Sequence, residues 1–270
     1  MDRPKVGLAL GGGGAKGLSH ISFVKALDEM GVRPAVISGT SIGSIIGAFY
    51  AAGVTGLEME TEMKKVDFGD LYKLVDFSIF GGSAILSGKG VEQFLAENLP
   101  VGTFEELDIP LKIIATDFWR RREVIFESGE LVPAIRASIS MAAVFEPVVI
   151  EDKVLVDGGG VNPLPYDVIR DTCDLLIAID VSGEKTPPDD APVPGVFESI
   201  MSTFQIMQAS IVAGKMKASQ PDLYVKPALR NIRVLEFHRY DEILESVTEE
   251  VERFKRDLEE LLQRNAWTRS

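Results

Sequence analysis

The sequence predicts an α/β protein with three layers, in which a central, mostly parallel sheet lies between helices. The first 53 residues alternate short apolar runs with helical patterns, in the order strand, helix, strand, helix. Such alternation is typical of parallel strands joined by crossover helices. Further apolar runs at 111–118 and 175–181 predict additional buried strands of the same sheet.

Each element follows from a local pattern. Short apolar runs predict strands at residues 6–10, 35–38, 111–118, 123–126, 148–150, 154–156, 175–181 and 232–237. Apolar side chains spaced three or four residues apart predict helices at 18–30, 41–52, 91–99, 132–140, 196–217 and 240–263. Gly31 and Gly53 are placed to end the first two helices. Thr103 and Glu106 fit a capping box.

Length and composition favour one large domain. The chain has 270 residues, of which 46% are hydrophobic and 26% charged, as in ordinary globular proteins. We expect residues 1–182 to form the main part of the domain and the proline-rich residues 183–195 to form a loop. Residues 196–270 then complete the same domain with C-terminal helices and strands. The irregular residues 57–90 are interpreted as a surface insertion that covers the functional site.

Charge and cysteine content exclude several classes of function. With 28 Lys and Arg against 41 Asp and Glu, the net charge is −13, so no nucleic-acid partner is expected. A single cysteine, Cys173, excludes an intrachain disulfide and is interpreted as buried filler. No signal-peptide pattern is seen at the N-terminus, and we expect a cytoplasmic location.

A candidate nucleophile lies between the second strand and the second helix. Gly39, Ser41 and Gly43 form G-x-S-x-G in this strand-to-helix setting. Such a turn can hold a serine hydroxyl above the end of a sheet, with glycines on both sides to leave room for it. The pattern indicates a serine hydrolase, although Gly and Ser are also common at ordinary strand ends.

A glycine-rich loop follows the first strand. The run Gly12, Gly13 and Gly14, closed by Gly17, can turn backbone N–H groups toward an anion. It also matches the dinucleotide fingerprint G-x-G-x-x-G, but the second strand ends without the acidic residue that would bind a ribose. The spacing of a P-loop is absent as well. An oxyanion hole facing the candidate nucleophile is the interpretation that remains.

The serine needs a base, for which the sequence offers two histidines and several carboxylates. His20 and His238 are the only histidines, and either has a structural role as its alternative. Asp157 follows an apolar strand and precedes Gly158 and Gly159, which leave room for a neighbouring side chain. An ordinary Asp-Gly turn is the alternative there. Two further strand-end carboxylates, Asp117 and Asp180, are interpreted as structural or supporting.

Taken together, these motifs resemble those of the patatin-like phospholipase family. Gly12 to Gly17 match G-G-G-x-[KR]-G, Gly39 to Gly43 match G-x-S-x-G, and Asp157 to Gly159 match D-G-[GA]. Their order and setting also agree with the family, over roughly residues 5–181. The three motifs together are far more specific than any one of them.

The resemblance implies a patatin-like fold and a lipid acyl hydrolase of the phospholipase A or esterase type. It implies a catalytic dyad of Ser41 and Asp157, with an oxyanion hole formed by the N–H groups of Gly12, Gly13 and Gly14. Gly17, Gly39, Gly43, Gly158 and Gly159 then support the motifs. The expected substrate is a lipid or another ester, and neither a metal nor a cofactor is implied.

Two alternatives stay open: a lipid-binding or regulatory module with little turnover, and a dinucleotide-binding protein. Residues 136–140 also resemble the family, but many members continue with proline and glycine where this chain has Met141-Ala142-Ala143. This departure bears on substrate preference more than on chemistry.

The helix predicted at 196–217 carries an apolar stripe. Its members are Phe197, Ile200, Met201, Phe204, Met207 and Ile211. The stripe suits transient contact with a membrane surface or an acyl pocket, although ordinary core burial is more typical of such spacing.

Overall fold

A computed structural model describes residues 4–65, 77–80, 83–86, 88–186 and 193–267. Ten strands lie in this part of the chain. They are β1 (Val6–Leu10), β2 (Val36–Thr40), β3 (Phe77–Phe80), β4 (Ser83–Leu86), β5 (Leu111–Asp117), β6 (Arg122–Phe126), β7 (Val148–Ile150), β8 (Lys153–Asp157), β9 (Leu175–Ile179) and β10 (Leu223–Val225).

The helices of the described residues flank the central sheet. They are α1 (His20–Glu29), α2 (Ile42–Ala51), α3 (Gly56–Met63), α4 (Lys89–Asn98), α5 (Leu131–Ser138), α6 (Val196–Ala218), α7 (Tyr240–Ser246) and α8 (Thr248–Trp267). A 3₁₀ helix, Gly14–Ser19, leads directly into α1.

The central sheet has eight strands in the order β10-β9-β1-β2-β5-β8-β7, with β6 also paired to β5. Strands β10, β9, β1, β2 and β5 are parallel, whereas β6, β8 and β7 join antiparallel. The predicted α/β class with a mostly parallel sheet is therefore confirmed. Strands β1, β2 and β9 are buried along their whole length, which explains their continuous apolar runs.

The C-terminal region differs from the prediction in two places. The strand predicted at 232–237 is wrong: Arg233 N–H bonds the Glu236 carboxylate in a turn, and the edge strand is the shorter β10. The helix predicted at 240–263 is interrupted at Val247. The Thr248 hydroxyl there bonds the carbonyl of Glu245 in place of a helical donor.

Two predicted segments lie partly outside the described residues. Of the insertion predicted at 57–90, residues 66–76, 81–82 and 87 are outside, and the described part comprises most of α3, the β3–β4 hairpin and the start of α4. Of the loop predicted at 183–195, residues 187–192 are outside. The role of residues 57–90 as a cover over the functional site stays a prediction. So does the division of the chain into residues 1–182, 183–195 and 196–270.

The sheet brings three loops to one place. Because β1 and β2 are parallel neighbours, the glycine-rich loop after β1 and Ser41 after β2 emerge at the same edge. Strand β8 runs against β5 and pairs Asp157 with Ala115, one residue beyond the pairing of Ile114 with Thr40. The topology thus carries residues distant in sequence to one end of the sheet.

Candidate active site

Ser41 sits in a strained turn between β2 and α2. Its φ of 54° and ψ of −126° are rare for a residue with a side chain. A Cβ atom at Gly39 would lie 2.5 Å from the carbonyl oxygen of Gly43, and one at Gly43 would lie 2.2 Å from that of Leu10. The two glycines are therefore required for α2 to start this close to the sheet, and the serine between them takes the strain.

Ser41 and Asp157 are in direct contact. The Ser41 hydroxyl donates a hydrogen bond of 2.7 Å to Asp157 Oδ2, and Asp157 Oδ1 accepts one of 2.7 Å from the Gly159 N–H. Both side chains are buried. Burial raises the pKa of Asp157 to about 6, although the hydrogen bonds from Ser41 and Gly159 pull in the opposite direction. The serine hydroxyl is therefore bonded to a carboxylate that is more basic than that of an ordinary aspartate.

The end of α5 holds both of these residues. Ser138 Oγ accepts the Ser41 N–H at 2.9 Å, and the Ser140 carbonyl accepts the Asp157 N–H at 2.9 Å. Arg136, itself buried, donates to Ser140 Oγ at 2.6 Å. These contacts orient Ser41 and Asp157 from one short segment. The sequence singled out 136–140 only by family resemblance, because a hydroxyl that binds a backbone N–H leaves no spacing signal.

We expect Ser138→Ala to lower kcat roughly tenfold, because the strained Ser41 N–H would lose an acceptor worth about 1 kcal/mol or more. Steady-state kinetics with a soluble ester would measure this. Ser38→Ala is the matched control, since it deletes an equally buried hydroxyl that bonds the Pro165 carbonyl instead. Equal losses of kcat in the two variants would contradict a positioning role for Ser138.

The glycine-rich loop lies against Ser41. A Cβ atom at Gly12 would lie 3.4 Å from Ser41 Cβ, and one at Gly17 would lie 2.1 Å from Ile42 Cγ2, at the start of α2. The Gly12 N–H donates to the Pro163 carbonyl at 2.9 Å. Across the described ranges, the N–H groups of Gly13 and Gly14 have no protein acceptor.

The histidines are not bonded to the serine. His20 is buried and donates from Nε2 to the Gly11 carbonyl at 2.8 Å, and burial lowers its pKa to about 4. His238 lies in an exposed 3₁₀ turn, Phe237–Arg239. Among the other carboxylates, Asp117 pairs with Arg120, and Asp180 accepts from Tyr224. His20 therefore supports the glycine-rich loop. Asp117 stabilises the turn after β5, and Asp180 links the end of β9 to β10.

Helix α6 covers the site. The cleft above Ser41 has a volume of about 10 Å³, room for about one water molecule. It is lined by Gly12, Gly13, Ser41, Met141, Asp157, Met201, Phe204, Gln205, Gln208 and Val234. A Cβ atom at Gly159 would lie 2.0 Å from Gln208 Nε2, so α6 rests directly on the Asp157-Gly158-Gly159 turn. Met141, from the departure at 141–143, is one wall of this cleft.

The expectation of ordinary core burial for the α6 stripe is wrong for Phe197, Ile200 and Met207, which are exposed. Only Met201 and Val212 of this helix are buried. Met201 and Phe204 of the same stripe line the cleft over Ser41, so spacing alone did not say which part of the stripe was inward.

Among the described residues, no group of three His, Cys, Asp or Glu side chains is arranged to hold a metal ion. Over the same part of the chain, no helix is both long enough and apolar enough to span a bilayer.

Comparisons with known proteins give related sequences and a solved structure with a related fold. The model of the patatin-like phospholipase family matches residues 8–170. An uncharacterized NTE family protein of Mycobacterium tuberculosis is 34% identical over 194 residues, which are 72% of this chain and 53% of that protein. Lysophospholipase NTE1 of Kluyveromyces lactis is 28% identical over 264 residues, covering 88% of this chain and 18% of that protein.

The crystal structure of VipD from Legionella pneumophila has a TM-score of 0.61 at 12% identity. The match covers 94% of this chain and 67% of VipD, and it shows a shared fold. The chain spans about half of the length of its mycobacterial relative and less of the fungal one.

Proposed function

Because the chain belongs to the patatin-like phospholipase family, we propose that it is a serine-dependent lipid acyl hydrolase with Ser41 and Asp157 as its catalytic dyad. The observation that carries the proposal is the 2.7 Å hydrogen bond from the Ser41 hydroxyl to Asp157. Gly13 lines the cleft with Ser41, and among the described residues its N–H and that of Gly14, the next residue in the loop, have no protein acceptor. These N–H groups support the proposal, because acyl transfer needs donors for an oxyanion.

In this mechanism Asp157 accepts the hydroxyl proton while Ser41 Oγ attacks the ester carbonyl. The N–H groups of Gly13 and Gly14 then stabilise the oxyanion of the tetrahedral intermediate. Gly12 lines the cleft but donates no hydrogen bond to the oxyanion, because its N–H is already bonded to the Pro163 carbonyl. Asp157 returns the proton to the leaving alcohol. Asp157 next takes a proton from water as the water oxygen attacks the acyl-enzyme, and it gives that proton to Ser41 Oγ when the fatty acid leaves, which regenerates the serine.

The substrate we propose is a lipid ester of the phospholipid or lysophospholipid type. A relative named lysophospholipase supports this class. The apolar residues of the cleft, Met141, Met201 and Phe204, suit an acyl chain. We also propose that the protein acts in the cytoplasm and meets its substrate in transient contact with a membrane surface.

A fluorophosphonate probe and lysophosphatidylcholine test the proposal together. We expect the probe to label the protein at Ser41, as mapped by peptide mass spectrometry, and the lipid to release fatty acid. Ser210→Ala is the matched control, because Ser210 lies on the exposed side of α6 and, within the described part of the chain, bonds only the Ile206 carbonyl. Absence of both labelling and hydrolysis, with lipid binding retained, would favour a non-catalytic lipid-binding module.

The oxyanion role predicts a large effect at Gly13. A Cβ atom there would lie 2.5 Å from the Val181 carbonyl oxygen, so Gly13→Val must shift the loop and its N–H. We expect kcat to fall roughly a hundredfold, the scale for one lost oxyanion donor. Gly195→Val is the control, since no atom of the described residues beyond its chain neighbours lies within 4 Å of a Cβ at that position. Unchanged turnover in Gly13→Val would exclude this loop as the oxyanion hole.

A further inference from the structure

The outer face of α6 is apolar and exposed. Val196, Phe197, Ile200 and Met207 are 80%, 52%, 47% and 58% exposed. We call these four residues the α6 patch. Helical spacing brings them to adjoining positions on one side of α6. A cluster of large apolar side chains in water is a typical feature of an interaction surface.

Charge points to the kind of partner. Between residues 193 and 214 the sequence has one charged residue, Glu198, whose carboxylate is paired with Lys185 at 2.5 Å. The chain as a whole carries a net charge of −13. A surface of anionic lipid would repel the protein, whereas a zwitterionic lipid surface presents no net charge and accepts apolar side chains.

The adjoining side of the same helix closes the catalytic cleft. Met201, Phe204, Gln205 and Gln208 cover Ser41 and leave only about 10 Å³. Phe204 also lines an open groove of about 380 Å³ beside the α6 patch. Phe204 thus borders both the groove and the cleft. Because the cleft holds only about one water molecule, an ester reaches Ser41 only when this part of α6 moves.

Helix α6 is held at its C-terminal end. Lys215 donates to Asn162 Oδ1 at 2.5 Å and to the Leu164 carbonyl at 2.9 Å, and it is ion-paired with Asp167. Val212 is buried nearby. In the N-terminal half, Met201 alone is buried. The helix is thus anchored on one side of the cleft and weakly packed on the other.

A second apolar element lies at the same edge of the sheet. Trp119, in the turn after β5, is 74% exposed and stacks edge-on with Phe118 at 5.0 Å. Because β5 is parallel to β2, this turn and Ser41 emerge at the same edge. An exposed Trp is typical of side chains that settle at a lipid–water interface.

We propose that the α6 patch docks on a zwitterionic lipid surface and that docking moves the N-terminal half of α6 away from the cleft over Ser41. The inference rests on the proposed function, since it explains how a lipid ester enters a cleft that is closed in water. In this arrangement the edge of the sheet that carries Ser41 and Trp119 faces the lipid.

Sedimentation with phosphatidylcholine vesicles tests the docking step. We expect the double variant Phe197→Ser/Ile200→Ser to bind at least about tenfold more weakly than the wild type, because two large apolar side chains no longer leave water. Ile206→Ser is the matched control. Ile206 is 65% exposed on the same helix but lies about 180° around the axis from Phe197. Equal binding by the wild type and the double variant would overturn the proposal.

Activity tests the opening step and separates it from the proposed function. We expect the double variant to lose roughly tenfold in rate on aggregated lysophosphatidylcholine, because lipid no longer promotes opening. It should keep the wild-type rate on a dissolved short-chain ester, which depends on the spontaneous opening of α6 that the two proteins share. Equal rates on the aggregated lipid would overturn the opening step. If the wild type hydrolysed neither substrate, the proposed function would fail, while the vesicle experiment would still decide the docking.

Trp119 reports the orientation of the bound protein. The chain has two tryptophans, so Trp267→Phe leaves Trp119 as the sole source of tryptophan fluorescence. We expect its emission to shift to the blue when vesicles are added, and no shift in the double variant. Vesicle binding without an emission shift would overturn the orientation. A wild-type dimer that the double variant dissociates, with no vesicle binding, would identify the patch as a contact with a second copy instead.

Discussion

Replacing Ser41 with alanine is expected to remove ester hydrolysis almost completely, with a loss of at least about 10³-fold in kcat/KM. The Ser41 hydroxyl is the donor to Asp157 at 2.7 Å, and alanine leaves no atom that can attack a carbonyl. The measurement is the initial rate on a short-chain chromogenic ester, which does not depend on a lipid surface.

The fold of Ser41→Ala should be retained. Alanine removes one oxygen atom and keeps the Ser41 backbone, whose N–H is bound by Ser138. The backbone strain at φ 54° is present in both proteins, so the thermal unfolding temperature should change little. If the variant kept a tenth of the wild-type rate at an unchanged unfolding temperature, Ser41 would not be the nucleophile.

The motifs could be found from the sequence because each marks a strand end. Glycines around Ser41 and in the loop after β1 are needed where backbones approach closely, as at Gly43, whose Cβ would meet the Leu10 carbonyl at 2.2 Å. Apolar runs likewise predicted β1, β2, β5 and β9, which are buried. The resemblance to the patatin-like phospholipase family is confirmed by the family model over residues 8–170.

The parts that the sequence did not predict depend on contacts between distant segments. The bond from Ser41 to Ser138 joins residues 97 positions apart, and no local pattern reports it. The inward face of α6 is set by its contact with the turn at Gly159, not by its apolar spacing. The edge strand β10 has only three residues, too few for a reliable pattern, because its pairing with β9 determines its conformation.

Replacing Asp157 with asparagine is expected to abolish acylation. An amide at this position can still accept from the Gly159 N–H and hold Ser41 through its NH₂ group, but it cannot take the hydroxyl proton. We expect single-turnover acylation to fall at least about 10³-fold. His238→Gln should keep the wild-type rate, and His20→Gln should keep a wild-type dependence on pH. Loss of the acid limb of the pH profile in either histidine variant would contradict the dyad.

The pH profile of the wild type follows from the same carboxylate. An ordinary aspartate would stay ionised down to about pH 4, but burial raises the pKa of Asp157 to about 6. The base must be ionised to act, so kcat/KM should fall as the pH drops below about 6. This limb lies close to that of an ordinary histidine, near 6.5, and for this reason the variants, rather than the profile alone, identify the base.

The raised pKa also predicts that Asp157→Asn is more stable than the wild type. The pKa of Asp157 is about 6 in the folded protein against 3.8 in an unfolded chain. Below pH 3.8 Asp157 is protonated in both states, and its burial costs no stability. The free energy of unfolding then falls as the pH rises through 6, because the ionised carboxylate is costly to bury. Asparagine carries no charge to bury, so at pH 8 we expect the variant to gain on the order of 2–3 kcal/mol in the free energy of unfolding. The gain should vanish near pH 4.

Asp117→Asn is the control of opposite sign. Hydrogen bonds from the backbone N–H and the guanidinium of Arg120 lower the pKa of the buried Asp117. Its stabilising contribution is present at neutral pH, so this variant should lose stability at pH 8. Chemical denaturation of both variants at pH 4 and pH 8 measures the difference. If Asp157→Asn were both inactive and destabilised at pH 8, the loss of activity would result from damage to the folded structure. The role of Asp157 as the base would then have no support.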